Sequence, residues 1–469
     1  MAALEKVMTD AVKPADNTPE LCIDPVAEKK LLRKLDIYLA PLMTIIFLCA
    51  YLDRSNIGNA ASAGMIADIG ATSSQLGNAV TLFYVTYVAA ELPCSLVLKK
   101  FHPNRMIPLL ILGWSFTLIG SGFIKNAGQL YASRLLIGLF ESGMFPCLTL
   151  YLSTFYQPQE QALRVAYLFV SAALSGAFGG LFAYALLHMD GVANLEGWRW
   201  LFIIEGIASV FIAVLIFCLL PDNYETARFL TPEDRELCRL RTEINHKYHG
   251  HPEFQWAEVR KALTDPKLYV SGWSQFFADI CSFGFSSFLP LILRSFGFGT
   301  VTTQLLTIPV YFWASATRAA FMVPAAMVTA VGYAINVGVP MSMRGVLYFS
   351  VFLIAQGIYI IVGLNATWLL NSHAGYYKRA TAIGMNQSMG NSAGVVVGQI
   401  FKTTVNGKYL LGLSFSLGAI VLASLGHLTL YWHFKRENRR REALTPEQRE
   451  WEVVHGKGGD FDPNYKYSL

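Results

Sequence analysis

Charged residues are scarce in this chain of 469 residues: Asp, Glu, Lys and Arg make up 15% of it, against about 25% in an average soluble domain. Hydrophobic residues make up 54%. This composition excludes an ordinary soluble protein and favours one with many membrane spans. The net charge of +5 does not indicate nucleic acid binding, because the basic residues fall in short loops and tails.

Paired cysteines and enzyme motifs are also lacking. The seven cysteines show no paired spacing, so we interpret them as small buried hydrophobic side chains and not as disulfides or metal ligands. The sequence has no nucleophile elbow, phosphate-binding loop or metal-ligand spacing. It therefore predicts no enzymatic activity, no metal and no cofactor.

Long apolar segments dominate the rest of the chain. A helix needs about 20 apolar residues to cross the hydrocarbon core of a membrane. Between 303 and 340 lies an apolar stretch that is too long for one ordinary span and too short for two. Elsewhere, spans are predicted near 35–52, 78–98, 106–124, 129–152, 164–188, 200–220, 269–293, 344–364, 378–402 and 408–432.

The basic residues predict the orientation, since they concentrate in cytoplasmic loops. They are dense before the first span, between the second and third, in the polar stretch after the sixth, and after the last. Both termini are therefore predicted to be cytoplasmic. Thr-Pro-Glu at 231–233 and at 445–447 predicts the start of a cytoplasmic helix in each case. The predicted units are a tail (1–34), a six-span half (35–220), a linker (221–266), a second half (267–433) and a second tail (434–469).

Short motifs follow one another along nearly the whole chain. They include LDRSNIGNA at 52–60, ELP at 91–93, RLLIG at 134–138, GWRWLF at 197–202 and LPD at 220–222. In this order and spacing they resemble the major facilitator superfamily, and within it the fungal anion:cation symporters related to allantoate, nicotinate and pantothenate permeases. The resemblance implies an all-α, polytopic membrane protein with two pseudo-symmetric halves of six helices and a cavity between them.

One departure from the family concerns span eight. In the family, the segment after 307–315 completes span eight and passes through a charged loop before span nine. Here 316–320 lead directly to 321–324, which resemble the interior of span nine. About 15 to 20 residues are missing relative to two full spans and a loop. Either span eight is short and covered by its neighbours, or this chain is a mis-spliced or mis-predicted product.

Arg134 and Glu141 are the first candidates for a transport site. They are seven residues apart on span four, so they share one helix face about 10 Å apart along the axis. An ionisable residue within a span is by default a functional hypothesis, and an Arg facing a cavity can bind a carboxylate through two parallel hydrogen bonds. The resemblance to vesicular and lysosomal organic-anion transporters implies the same pair. The alternative is a structural ion pair that fixes span four to a neighbour.

Arg54 and Asp53 are the second candidates. The resemblance implies an anion-binding Arg late in span one, where Arg54 stands. Asp53 then orients Arg54, pairs with it while the site is empty, or takes up a proton itself. The alternative is a charge pair at the membrane interface that ends the helix. Near the ends of other spans, we interpret Arg199 and Glu205 as conformational or topological anchors.

Glu91, deep in span two, is either a further proton carrier or a gate residue that pairs with a basic residue near the loop. Three amides and one aromatic residue are further candidates for the pocket wall. The amides are the stronger candidates, because amides within a span need partners. The four candidates are Asn386, Gln387, Asn391 and Trp368.

Together these features predict proton-coupled uptake of a small organic anion, such as a vitamin or ureide acid, by alternating access. The expected partners are the anion, protons and the lipid bilayer, with no nucleic acid. The expected state is a monomer in the plasma membrane. The alternatives are an exporter or facilitator of the same fold, or a receptor-like or non-transporting membrane protein with a damaged span eight.

Overall fold

The structure, a computed structural model, describes residues 24–98, 102–249, 256–299, 322–373, 376–405 and 407–455, and the short stretches 302–303, 305–307, 309–310, 459–463 and 465–467. Across these residues it is helical, and its one β-type contact is an isolated bridge between Val405 and Lys408. The prediction of an all-α protein is confirmed.

In the described residues of the first half and the linker there are nine helices, which we label α1–α9. There are also two short helical turns, Met65–Asp68 and Val192–Asn194. The labelled helices are α1 (Pro25–Ser62), α2 (Ser73–Leu98), α3 (Pro103–Ser121), α4 (Ala127–Glu141), α5 (Met144–Ser153), α6 (Pro158–Leu187), α7 (Gly197–Leu219), α8 (Pro232–His249) and α9 (Trp256–Leu263).

In the described part of the second half and the C-terminal tail there are helical residues between 302 and 310 and six labelled helices, the last of them near the C-terminus. The labelled helices are α10 (Pro266–Ser295), α11 (Met322–Gly338), α12 (Arg344–Asn371), α13 (Tyr376–Ile400), α14 (Leu410–Glu442) and α15 (Pro446–His455). The predicted junction at 316–320 lies outside the described residues.

Several helices begin where the sequence places a cap and a proline. Asp24 accepts a hydrogen bond from the backbone N of Val26 at 3.0 Å and starts α1, and Asp265 caps α10 in the same way. Thr231 and Thr445 cap α8 and α15. The two helices predicted from Thr-Pro-Glu are therefore confirmed.

Six of the described helices contain segments long and apolar enough to cross a membrane, and 324–338 forms a shorter apolar helix. Span four, predicted as one helix over 129–152, is in fact two helices. The chain leaves α4 at Glu141, passes through Ser142 and Gly143, and begins α5 at Met144.

The two halves meet at the end of the bundle opposite to the termini, which we call the far end. A Cβ atom built on Gly77 of α2 would lie 2.2 Å from the carbonyl oxygen of Gly398 in α13, and the reverse distance is also 2.2 Å. At the crossing of α1 and α10, a Cβ on Gly58 would lie 2.2 Å from the carbonyl oxygen of Ser287. The backbones pack so closely that only glycine fits at these three positions.

At the other end, which we call the terminal end, ion pairs tie the helices together. Arg164 of α6 donates two hydrogen bonds to Asp36 of α1, at 2.9 and 2.6 Å. Lys34 pairs with Asp234 of the linker at 2.6 Å. These pairs hold the start of α1 against α6 and α8.

The C-terminal segment (459–463 and 465–467) folds back onto the terminal end of the second half. Asp460 is buried and accepts hydrogen bonds from Lys267 at 2.6 Å and from Lys378 at 2.7 Å. Tyr467 is buried against Phe434 of α14, with the ring centroids 4.6 Å apart. Part of the predicted 434–469 tail therefore packs against the bundle.

Candidate functional site

Arg54 and Glu141 form a buried ion pair between α1 and α4. Arg54 Nε donates a hydrogen bond to Glu141 Oε1 at 3.0 Å, and its Nη2 contacts the same oxygen. Glu141 Oε2 has no hydrogen-bond partner among the described residues. Because Glu141 is the last residue of α4, the break at Ser142 and Gly143 lies directly beside this pair.

Four aromatic rings surround the guanidinium group of Arg54. Its Cζ lies 4.7 Å from the ring centroid of Tyr51 and 5.0 Å from that of Tyr87. The rings of Phe83 and Tyr84 are at 5.4 and 6.0 Å. Cation–π contacts of this kind hold a guanidinium group in place without occupying its N–H donors. The rings therefore leave the N–H donors of Arg54 to its carboxylate partner, Glu141.

A small cavity opens beside this pair and is lined by both halves. The second half contributes Gln387 and Asn391, two of the residues predicted for the pocket wall. The first half contributes Phe47, Ala50, Tyr51, Arg54, Tyr87, Glu141, Met144 and Phe145. The structure thus brings four predicted site residues to one cavity.

Glu91 connects the two halves next to this cavity. It accepts hydrogen bonds from Asn391 Nδ2 at 3.3 Å and from Ser388 Oγ at 3.4 Å, both on α13. These partners are an amide and a hydroxyl group, whereas the sequence suggested a basic residue as the partner of a gate. The roles of proton carrier and gate both remain hypotheses for Glu91.

Arg134 and Asp53 lie deeper in the first half. Both side chains are 2% exposed. The Nε and Nη2 atoms of Arg134 and both carboxyl oxygens of Asp53 lack hydrogen-bond partners among the described residues. Arg134 lies 5.7 Å from the ring centroid of Phe202. Neither residue lines the cavity, although both lie within electrostatic range of Glu141.

Asn386 and Trp368 are not brought to the cavity either. Asn386 accepts a hydrogen bond from Ser271 at 3.2 Å, within a polar cluster of the second half. The ring of Trp368 packs against Phe434, with a centroid distance of 5.3 Å, close to the C-terminal segment. In this conformation both residues are part of the packing of the second half.

Two acidic residues were missed or misplaced by the sequence analysis. Asp279 of α10 is buried and accepts a hydrogen bond from Gln275 at 2.9 Å. It lies in the middle of the predicted span 269–293, so the rule applied to Glu91 could have identified it. Glu205 was placed at a span end, but α7 begins at Gly197, which puts Glu205 about 12 Å inside the helix. Its side chain is 5% exposed and contacts Asn56.

Within the described part of the chain, no group of three or more His, Cys, Asp or Glu side chains is placed to bind a metal ion. The chemistry of the site therefore consists of carboxyl, guanidinium, amide and phenol groups.

Comparisons with known proteins give the context of this site. The sequence profile of the Major Facilitator Superfamily matches residues 43–399. A transporter of Schizosaccharomyces pombe, itself uncharacterised, is 42% identical, with 99% of this chain and 95% of that protein covered. The high-affinity nicotinic acid transporter of Saccharomyces cerevisiae is 35% identical, with 89% of this chain and 80% of that protein covered.

Two solved structures show the same fold at low sequence identity. A bacterial homologue of the human lysosomal transporter Spinster, inward-facing and occupied, has a TM-score of 0.61 and 15% identity, with 87% of this chain and 97% of that one covered. The xylose transporter of E. coli, in a partially occluded inward-open conformation, has a TM-score of 0.63 and 14% identity, with 83% and 97% covered.

Proposed function

The chain belongs to the major facilitator superfamily, and we propose that it takes up a small monocarboxylate together with a proton. The observation that carries this proposal is the buried pair of Arg54 and Glu141 beside a cavity lined by both halves. The relative that transports nicotinic acid makes this acid the first substrate to test.

Proton binding and substrate binding are coupled because Glu141 and the substrate carboxylate compete for Arg54. While Glu141 is ionised, it neutralises Arg54 and occupies the donors that a substrate carboxylate needs. A proton on Glu141 releases Arg54, but a buried charge without a partner costs about 3–5 kcal/mol. A substrate carboxylate removes this cost by taking the place of Glu141. Proton and anion therefore bind together, and the buried charge does not change when both are present.

Transport requires that the cavity open to each side in turn. In the described conformation the halves are in contact at the far end through Gly58, Gly77 and Gly398. We propose that these contacts separate to admit the substrate, and that the Glu91 link to Asn391 rearranges as the halves move. The predicted orientation places the far end outside the cell and both termini in the cytoplasm.

Uptake into liposomes tests the proposal. The purified protein is reconstituted and given radiolabelled nicotinic acid with the outer solution more acidic than the inner one. We expect accumulation that a protonophore abolishes. Glu141→Gln should reduce it at least about tenfold, since it removes a charged partner of Arg54 worth about 1.5–3 kcal/mol. Arg134→Ala should reduce it similarly, because it removes the positive charge beside Glu141 and Asp53.

The outcomes separate the alternatives. Accumulation that the protonophore does not affect would indicate a facilitator or another driving ion. Binding without accumulation would indicate a receptor-like protein. If neither nicotinic acid nor any other monocarboxylate binds or accumulates, the proposal is wrong. Arg239→Ala, in the exposed part of the linker, is the control and is expected to transport like the wild type.

A further inference from the structure

We propose that Asp53 and Glu205 form a second proton-binding site, inside the first half, in which the two carboxyl groups share one proton. The inference rests on the proposed function for the role of Glu141, but its test does not depend on transport.

The first argument is the contact between the two acids. Asp53 on α1 and Glu205 on α7 lie within hydrogen-bonding reach of each other. Among the described residues, no group donates a hydrogen bond to either oxygen of Asp53 or to Oε1 of Glu205. The indole N–H of Trp114 faces Asp53 without a hydrogen bond of normal geometry. Two ionised carboxylates in such contact repel each other, and a shared proton supplies the missing donor.

The second argument is the set of groups that surround the pair. Asn56 donates to Oε2 of Glu205 and leaves the other oxygen toward Asp53. Arg134 of α4, with two nitrogen atoms unpartnered, faces both Asp53 and Glu141. The thiol of Cys49 lies near both acids of the pair. A guanidinium group with two unpartnered nitrogen atoms therefore lies on the Asp53 side of the pair.

The third argument is the balance of charge. Around the pair the first half holds three buried acids (Asp53, Glu141, Glu205) and two buried bases (Arg54, Arg134), which we count as one cluster. Glu91 and Asp279 also lie near Arg54 but accept hydrogen bonds from amides of the second half, and they are counted separately. With every group ionised the net charge of the cluster is −1, and one proton shared by Asp53 and Glu205 makes it neutral. It stays neutral when a substrate anion and a proton on Glu141 are added. Without the shared proton the substrate would have to enter a cluster that already carries a buried negative charge, which is costly in a membrane.

The substitution Glu205→Gln tests this balance, because a neutral amide replaces the shared proton. The cluster of the variant is neutral with Asp53 ionised, so the variant is expected to fold. The folded wild type carries one proton that the unfolded chain does not hold above about pH 5. The thermal stability of the wild type must therefore fall as the pH rises. The stability of the variant must fall less steeply, because it lacks the contribution of this one bound proton.

The measurement is the melting temperature of the substrate-free protein in detergent between about pH 5.5 and 8.5. We expect the melting temperature to fall steeply with pH, and to the same extent, in the wild type, in Glu205→Asp and in the control Glu196→Gln. Glu196 is an exposed acid just before α7. The melting temperatures of Glu205→Gln and Asp53→Asn should fall less steeply. Equal slopes in the wild type and both amide variants would overturn the inference, even if the protein transports nicotinic acid.

Infrared spectroscopy gives a second and direct measurement. A protonated carboxyl group has a carbonyl band that is distinct from the carboxylate bands and shifts in D₂O. We expect the wild-type band to lose intensity in Asp53→Asn and in Glu205→Gln and to persist in Glu196→Gln. A band that neither amide variant reduces would contradict a shared proton. Asp53→Asn keeps the test valid if Glu205→Gln does not fold.

Discussion

The guanidinium group of Arg54 makes two kinds of contact. Two of its nitrogen atoms contact one oxygen of Glu141, and four aromatic rings lie around it. A lysine would keep the positive charge but would lose the planar arrangement of donors that matches a carboxylate. The shape of the group therefore matters as much as its charge.

We expect Arg54→Lys to reduce the uptake of nicotinic acid at least about tenfold at low substrate concentration, because charge-assisted hydrogen bonds contribute about 1.5–3 kcal/mol each. Initial rates over a range of concentrations would show the loss. Arg239→Lys, at an exposed position of the linker, should leave the rates unchanged. Wild-type rates in Arg54→Lys would show that charge alone is sufficient there.

The sequence identified Arg54, Glu141, Gln387 and Asn391 because polar residues in apolar segments need partners. It did not identify which residues pair. Seven-residue spacing places Arg134 and Glu141 on one face of α4, yet the partner of Glu141 is Arg54. That choice depends on how α1 packs against α4, which no pattern within a single helix contains. Glu205 was misplaced for a related reason, since the start of α7 had to be known first.

Among the elements, α2 and α13 form one of the two tight crossings between the halves at the far end. Gly77 and Gly398 face each other's backbone, and Thr81 donates a hydrogen bond to the carbonyl oxygen of Val395 at 3.0 Å. A methyl group at either glycine has no space unless the helices move apart. The crossing therefore fixes the distance between the halves at the far end.

We expect Gly77→Ala to destabilise this conformation by about 1–3 kcal/mol, the usual cost of overpacking, and Gly398→Ala to act similarly. The measurement is the melting temperature in detergent. Gly418→Ala is the matched control, because this glycine is also helical but has no atom near its Cβ position. If Gly77→Ala melts like Gly418→Ala, the crossing is not as tight as described.

Element positions were largely predictable, but interruptions were not. The apolar segments predicted the spanning helices, and Thr-Pro-Glu predicted the starts of α8 and α15. The break after Glu141 was not predicted, because Ser142 and Gly143 lie within an otherwise apolar run and carry no strong stop signal. The helix can end there because its last polar groups are satisfied locally: the backbone N of Ser142 donates to the carbonyl oxygen of Gly138, and the Ser142 hydroxyl group donates to that of Leu139.

For the molecule as a whole, the C-terminal segment stabilises the second half through Asp460. Two buried lysines, Lys267 and Lys378, share this carboxylate. Burial alone would raise the pKa of Asp460, but the two lysines outweigh it and hold this pKa below its usual range. The stabilisation is therefore complete above about pH 4 and is lost only as the pH falls through the lowered pKa.

We expect Asp460→Asn to destabilise the protein by about 3–5 kcal/mol at pH 7, because it leaves two buried ammonium groups to share the single carboxylate of Asp265. Thermal unfolding in detergent measures the effect. Glu442→Gln removes an exposed ion pair with Lys466 and should change stability by less than about 0.5 kcal/mol. Equal melting temperatures for the two variants would contradict the importance of Asp460.

The two-half architecture followed from the resemblance, whereas the position of the C-terminal segment did not. Residues 434–469 are polar and basic, which is typical of a solvated tail. Only the structure shows that α14 continues to Glu442 and that Asp460 and Tyr467 return to the bundle. Such long-range contacts depend on a few residues in a segment whose sequence does not differ from that of an ordinary loop. They could therefore not be predicted from the sequence.

The place of Asp460 along the chain also bears on how the protein is made, because it follows Lys378 by 82 residues. During synthesis Asp265 leaves the ribosome just before Lys267, whereas Asp460 leaves it long after both lysines. Until then the two lysines share the carboxylate of Asp265. The terminal end of the second half therefore completes its packing late in synthesis.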